Sequence, residues 1–118
     1  MSRIYLPGKQ VAVSDVIQAV CEEYGFTEAQ MRQKTRGTMQ LAFARQVAMY
    51  VAYETCNTSG ADIGQEFGGR DHSTVVHARK VVAQCLVRPR VEAPKQEKDR
   101  LALLALIGKI VGKLNEKS

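Results

Sequence analysis

Polar and reactive side chains are concentrated in one short segment of this 118-residue chain. Residues 68–78, GGRDHSTVVHA, place an arginine, an aspartate, two histidines, a serine and a threonine directly after two glycines. Side chains of these types can form a catalytic site, a metal site or a polar helix N-terminus that contacts a ligand. The three alternatives make different demands on spacing and on neighbouring residues.

Catalysis and metal binding fit this spacing poorly. His72 and His77 are separated by about 140° around a helix, so their rings diverge, and a metal would need a third ligand. No nucleophile stands beside a base at a recognisable turn, and the sequence contains no G-x-x-x-x-G-K-[ST] loop for nucleotide phosphates. We therefore expect neither an enzyme nor a bound metal or cofactor.

The segment fits the second helix of a helix-turn-helix better. A short helix over residues 59–67, begun by a Ser59–Asp62 capping box, would end at Gly68 and Gly69, because glycine adopts left-handed backbone geometry without steric cost. Asp71 can cap the next helix. The apolar face of that helix would consist of Val75, Ala78 and Val82.

The first residues of this second helix are short and polar, as major-groove contacts require. Asp71 could accept a hydrogen bond from a cytosine amino group, and His72 or His77 could bond to purine edges. The methyl group of Thr74 could contact a thymine methyl. Ser73 and the free backbone N–H groups of the first turn suit a phosphate oxygen.

Each of these side chains also has a plainer interpretation. Asp71 can serve only as a helix cap, which would occupy its acceptor oxygen. Arg70 can simply cover the glycine turn, and His77 can be a half-buried histidine. Aromatic and methionine side chains nearby are expected at the edge of the core or within it: Tyr50, Tyr53, Met39 and Met49.

The charge pattern favours a polyanionic partner. The formal net charge is +5, and acidic residues are absent from residues 29–53 and 72–91. Basic patches of one sign are typical of a phosphate-binding surface, although a solvated basic face is the alternative. The basic residues in the two segments are Arg32, Lys34, Arg36, Arg45, Arg79, Lys80, Arg88 and Arg90.

The rest of the chain predicts a single all-α domain, a compact helical bundle over residues 1–118. Ser14 and Gly25 would bound a first helix, Thr27 with Gln30 would cap a short second one, and a long helix would run from Thr38 to about Asn57. A last helix is expected at residues 95–116. Inward residues of the last helix would be Leu103, Leu104, Ile107, Ile110, Val111 and Leu114.

Composition narrows the class of protein further. A hydrophobic content of 45% argues against disorder, and no apolar run is long enough to cross a bilayer. The N-terminus lacks a signal-peptide pattern, so we expect a cytoplasmic, nucleoid-associated protein. Cys21, Cys56 and Cys85 are widely separated in apolar-periodic segments, where buried free thiols are expected.

These motifs together resemble a known family. The segment IGQEFGGRDHSTVVHARKVV resembles the signature of the C-terminal DNA-binding domain of the bacterial replication initiator DnaA. ARQVAMYVAYETCNTS and VSDVIQAVCEEYGFTEAQMRQKTR resemble the helices that precede it, so the similarity covers residues 11–86. The resemblance implies an all-α, Trp-repressor-like bundle that carries a helix-turn-helix and binds short double-stranded sites called DnaA boxes.

The resemblance also implies roles for individual residues. Base contacts in the major groove would fall to Asp71, His72, Thr74 and His77, and a minor-groove contact to Arg36. Contacts to the DNA backbone would come from Arg45, Gln46, Ser73, Arg70, Ala61 and Lys80.

Three departures from the family pattern bear on function. Ala44 stands where the family has proline before its Arg-Gln pair, and alignment backward from Arg45 places the minor-groove position at Gly37 instead of Arg36. The chain also begins at Met1 without an ATPase module before it. We therefore expect a free-standing regulator of transcription or replication, chromosomal or phage-borne. The alternatives are a protein-interaction module that docks or dimerises through the last helix, and a fragment of a larger initiator.

Overall fold

The computed structural model describes residues 11–35, 37–87 and 94–116. These residues form six α-helices and no strand, which confirms the all-α prediction. The helices are α1 (Val13–Tyr24), α2 (Glu28–Arg32), α3 (Met39–Thr55), α4 (Gly60–Glu66), α5 (His72–Leu86) and α6 (Pro94–Glu116). None of the helices in the described part of the chain is long and apolar enough to cross a membrane.

Helix α3 is the centre of the bundle. It packs against each of the other described helices, so its side chains are buried on nearly every side. Ala44, Ala48 and Ala52 are completely buried, and their small size lets neighbouring helices approach closely. Burial extends around this helix to Met49 and even to the carboxylate residue Glu54.

Local sequence signals place most helix ends correctly. Gly25 ends α1 with a left-handed backbone (φ 78°), and the Thr27 and Ser59 hydroxyl groups accept hydrogen bonds from the backbone N–H groups of Gln30 and Asp62. The cap predicted at Ser14 was wrong. Helix α1 begins at Val13, because Asp15 Oδ2 accepts a hydrogen bond from the backbone N–H of Ala12 (3.2 Å) and so satisfies this helix end.

Helix α6 closes the bundle by packing on α1, α3 and α5. Its buried residues are Leu103, Ile107, Ile110 and Leu114. Leu104 was predicted to face inward but is 41% exposed, and Val111 is half-buried. Successive residues of a helix are rotated by about 100°, so Leu104 cannot share the core stripe of Leu103 once the four buried residues have set its direction.

Two predicted core side chains lie on the surface. Met39 is 75% exposed because it is the first residue of α3 and projects beyond the bundle, whereas Met49 is buried as expected. Cys85 is exposed near the end of α5, while Cys21 and Cys56 are buried thiols. Burial at the edge of the core is confirmed for the two tyrosines, Tyr50 and Tyr53.

Candidate nucleic-acid interface

Helices α4 and α5 form the predicted helix-turn-helix. Both turn glycines are left-handed, with φ 79° at Gly68 and φ 78° at Gly69. Gly64 permits a close approach between α4 and the turn, since a Cβ there would lie 2.1 Å from the Arg70 carbonyl oxygen. The Gly64 carbonyl oxygen in turn accepts a hydrogen bond from the Arg70 N–H (2.9 Å). Ile63 and Phe67 are completely buried and anchor the supporting helix.

Asp71 caps α5 with a single oxygen atom. Its Oδ1 accepts hydrogen bonds from the Ser73 hydroxyl (2.7 Å), the Thr74 backbone N–H (3.2 Å) and the Thr74 hydroxyl (3.2 Å). The hydrogen bond from the Ser73 hydroxyl is the largest of the causes that lower the pKa of Asp71. The capping interpretation is therefore confirmed, and Oδ2 takes part in none of these bonds.

The predicted base-contacting residues on α5 and at its cap are all exposed. Asp71, His72, Ser73 and Thr74 are all exposed at the start of α5, and His77 is exposed one turn later. The opposite face of the same helix is buried through Val75, Ala78 and Val82. The core thus holds the helix while its polar N-terminal turn points to solvent.

A cleft of about 190 Å³ is lined by residues of α3 and α5. It brings together some of the predicted contacts of both kinds, to bases and to the DNA backbone. Its lining includes Arg45, Gln46, Arg70, Thr74 and His77. The first two come from α3, and the others from the turn and from α5, so tertiary packing assembles the group from residues that are far apart in sequence.

Arg45 has an internal role in this cleft. It is only 3% exposed, and its Nη2 donates a hydrogen bond to the Gln30 carbonyl oxygen (2.7 Å). Burial lowers the pKa of Arg45, and the nearby charge of Arg70 adds to this effect. Arg45 therefore ties α3 to α2. Its contact with a DNA phosphate stays a prediction, as does that of the half-buried Gln46.

Arg70 covers the glycine turn, which was the alternative to a DNA contact in the sequence analysis. Its guanidinium group donates hydrogen bonds to the carbonyl oxygens of Phe67, Gln33 (2.9 Å) and Lys34 (3.5 Å). The turn is thereby joined to the segment that follows α2. Burial lowers the pKa of Arg70.

The basic residues divide into engaged and exposed groups. Arg32 is paired with Glu66 (3.1 Å) and Glu28 (3.7 Å), and the Arg79 side chain lies over the Tyr53 ring. Lys34 and Lys80 are exposed, as is Ala61 in the first turn of α4. Outside the described residues lie the predicted minor-groove residue and two further basic side chains: Arg36, Arg88 and Arg90.

Sequence reasoning assigned no role to Gly60, the first residue of α4. The ring of His72 lies directly beside it. The signal in the sequence that could have identified this position was a glycine at the first position of a helix whose cap, Ser59, was already assigned.

Comparisons with known proteins identify the family. Residues 13–82 match the family model described as bacterial dnaA protein helix-turn-helix. The chromosomal replication initiator protein DnaA of Symbiobacterium thermophilum is 40% identical over 78 residues, which are 64% of this chain and 16% of that protein. This chain therefore corresponds to a small part of the relative. The matched residues include α1 through most of α5, and on this evidence the chain belongs to the bacterial DnaA helix-turn-helix family.

Proposed function

We propose that this protein binds double-stranded DNA in a sequence-specific manner, with the N-terminus of α5 in the major groove. One observation carries the proposal: the exposed polar turn at residues 71–74 lies on a helix whose other face is fixed in the core. A recognition helix needs both properties. Its base-contacting side chains must reach the base edges, and the orientation of the helix must be fixed.

In the proposed division of labour, His72, Thr74 and His77 read bases. Asp71 caps α5 through Oδ1, and its second oxygen, Oδ2, could accept a hydrogen bond from a cytosine amino group. Backbone contacts fall to Ser73, Gln46, Lys80, Ala61, Arg45 and Arg70, and Arg36 is proposed for the minor groove.

The Ser73 contact involves a local exchange of hydrogen bonds. A serine hydroxyl has one hydrogen to donate, and in this structure it points to Asp71 Oδ1. A bond from Ser73 to a phosphate oxygen would therefore require the hydroxyl to rotate away from Asp71. The exposed backbone turn and Lys80 can meet a phosphate without such a change.

The biological role that we propose is control of transcription or of replication initiation, in the cytoplasm on chromosomal or phage DNA. The similarity to a chromosomal replication initiator supports this choice. Binding by these 118 residues should not depend on ATP, because they contain no phosphate-binding loop motif. Addition of ATP to a duplex titration tests this point, and an ATP-dependent affinity would contradict it.

Selection of bound duplexes from a random pool, followed by titration of the best sequence, tests the main proposal. We expect a site similar to a DnaA box and an affinity that falls steeply with salt, because bound counterions are released from the phosphates. For a single domain the dissociation constant should lie at or above the weak end of the specific range, about 10⁻⁸ M. An absence of duplex binding at low salt, or binding without sequence preference, would contradict the proposal.

The alternative function, a protein-interaction module, has one observation in its favour. The outer face of α6 exposes Leu101 (52%) and Leu104. Exposure of these two leucines does not by itself identify a partner, so this alternative ranks second. The selection experiment separates the two functions, because a docking module that had lost DNA recognition would enrich no sequence.

A further inference from the structure

The first residues of α4 and α5 are in close contact. Gly60 begins α4, and the imidazole of His72, the first residue of α5, lies beside it. A Cβ atom added to Gly60 would be 2.6 Å from His72 Nδ1, 3.1 Å from Cε1 and 3.8 Å from Cγ. Side-chain Cβ atoms are essentially never found within 3.0 Å of another heavy atom, so no other residue is compatible with this ring position.

The backbone does not explain why residue 60 is a glycine. The glycines with positive φ in the described residues are Gly25, Gly37, Gly68 and Gly69, whereas Gly60 has ordinary helical geometry. What glycine provides here is space, and the imidazole of His72 occupies that space.

We infer that Gly60 is a specificity-determining residue that sets the orientation of the His72 ring. This inference rests on the proposed function, in which His72 reads a base. The Nδ1 edge of the ring faces α4, so Nε2, the nitrogen farther from Gly60, is the one directed toward a base. Hydrogen bonds weaken steeply with poor geometry, so the base that His72 prefers depends on this orientation.

A side chain at residue 60 would displace the ring without disrupting the fold. Moving Nδ1 from 2.6 Å to an ordinary contact of 3.4 Å requires a shift of at least 0.8 Å (3.4 − 2.6). His72 is an exposed side chain and can make this shift by rotation. The change therefore affects recognition and leaves the core intact.

The experiment compares the ratio of specific to non-specific duplex affinity in Gly60→Ala and in the parent protein. We expect this ratio to fall about tenfold, which corresponds to the loss of one good base contact, while affinity for random duplex is unchanged. The melting temperature should not fall. Gly108→Ala is the control for the same substitution at a helical glycine without a neighbour, because no atom is within 4 Å of a Cβ added to Gly108. It should leave the ratio unchanged.

His72→Ala distinguishes failure of this inference from failure of the proposed function. If His72→Ala leaves the ratio unchanged, His72 does not read bases and the proposed function fails at this residue. If His72→Ala lowers the ratio but Gly60→Ala does not, the role of Gly60 is overturned. In the His72→Ala background, Gly60→Ala should have no further effect, and an additional loss would show that Gly60 acts by another route.

A measurement on the unmodified protein covers the case in which Gly60→Ala is unstable. Nuclear Overhauser contacts between the His72 ring protons and the Gly60 α protons should be observed without DNA and should persist in the complex. Their absence from the folded protein would overturn the inference.

Discussion

The guanidinium carbon of Arg79 lies 3.5 Å from the centroid of the Tyr53 ring. This cation–π contact joins α5, the second helix of the helix-turn-helix, to the central helix α3. Arg79 belongs to the acid-free segment that suggested a phosphate-binding surface, yet its side chain is engaged with the bundle. Its neighbour Lys80 is exposed. Two adjacent basic residues therefore have different expected roles.

The first prediction compares these neighbours. Arg79→Ala should reduce the free energy of unfolding by about 0.5–2 kcal/mol, because it removes the contact with the Tyr53 ring. Lys80→Ala should leave stability unchanged and reduce the slope of log affinity against log salt by about one, as for the loss of one phosphate contact. Urea unfolding and salt titrations measure the two effects. Equal salt slopes for the two variants would contradict this assignment.

The second prediction concerns Arg45. Arg45→Ala should weaken binding to all duplexes alike and flatten the salt dependence, since a backbone contact carries no sequence information. It should also reduce stability by about 1–3 kcal/mol, because the partly buried hydrogen bond from this charged group to the Gln30 carbonyl oxygen is lost. Binding must therefore be measured at a temperature where unfolding curves show the variant to be folded. A change in the preferred sequence would refute the backbone assignment.

The third prediction concerns the pH dependence of the Asp71 cap. Hydrogen bonds from Ser73 and Thr74 lower the pKa of Asp71 below its ordinary value of 3.8. The ionised cap is therefore fully stabilising above that pH, and its contribution is lost as the pH falls through the lower folded pKa. Asp71→Asn should retain most of the cap at neutral pH and lose this acid dependence, while Asp71→Ala should melt lower at neutral pH. Melting temperatures between pH 2 and 7 test the prediction, and equal acid dependence in Asp71→Asn would exclude it.

The fourth prediction separates the two functional groups of Thr74. Thr74→Ser keeps the hydroxyl that bonds to Asp71 and removes the methyl group, so stability should be preserved. Affinity for the preferred site should fall by about 1 kcal/mol, the contribution of one buried methyl group, with a much smaller loss on random DNA. His72→Ala should also preserve stability. It should reduce affinity for the preferred site by about 1–3 kcal/mol, with a much smaller loss on random DNA. If Thr74→Ser bound the preferred site as well as the parent, the methyl group would not contact a base.

The fifth prediction tests the orientation of α6. Ile110→Ala should reduce stability by about 2–5 kcal/mol, because Ile110 is completely buried and its loss leaves a cavity. Leu104→Ala removes a side chain of similar size from the exposed face and should change stability by less than about 0.5 kcal/mol. Chemical unfolding of the two variants measures the difference. Comparable losses would show that Leu104 is covered by a partner.

The sequence alone determined the features that depend on residues within about four positions of each other. The caps at Thr27, Ser59 and Asp71 and the left-handed turn at Gly68 and Gly69 follow from local hydrogen bonding and glycine geometry, so the helix-turn-helix was predictable. The core face of α5 was also predictable from helical period. Ser14 shows the limit of such signals. A residue of a capping type is not a cap when the helix begins before it, and here Asp15 bonds to the N–H of Ala12, two residues before Ser14.

Only the tertiary structure decided which polar groups are available to a ligand. Arg45 and Gln30 are 15 positions apart, and Arg70 reaches carbonyl oxygens 36 and 37 positions earlier in the chain. Such bonds exist only after the helices have packed. They engage the guanidinium groups of Arg45 and Arg70, to which the family resemblance assigned contacts with the DNA backbone. The contact between Gly60 and His72 depends in the same way on the angle between α4 and α5. Side-chain period cannot predict these outcomes, because it specifies one face of each helix and not the neighbour that each face meets.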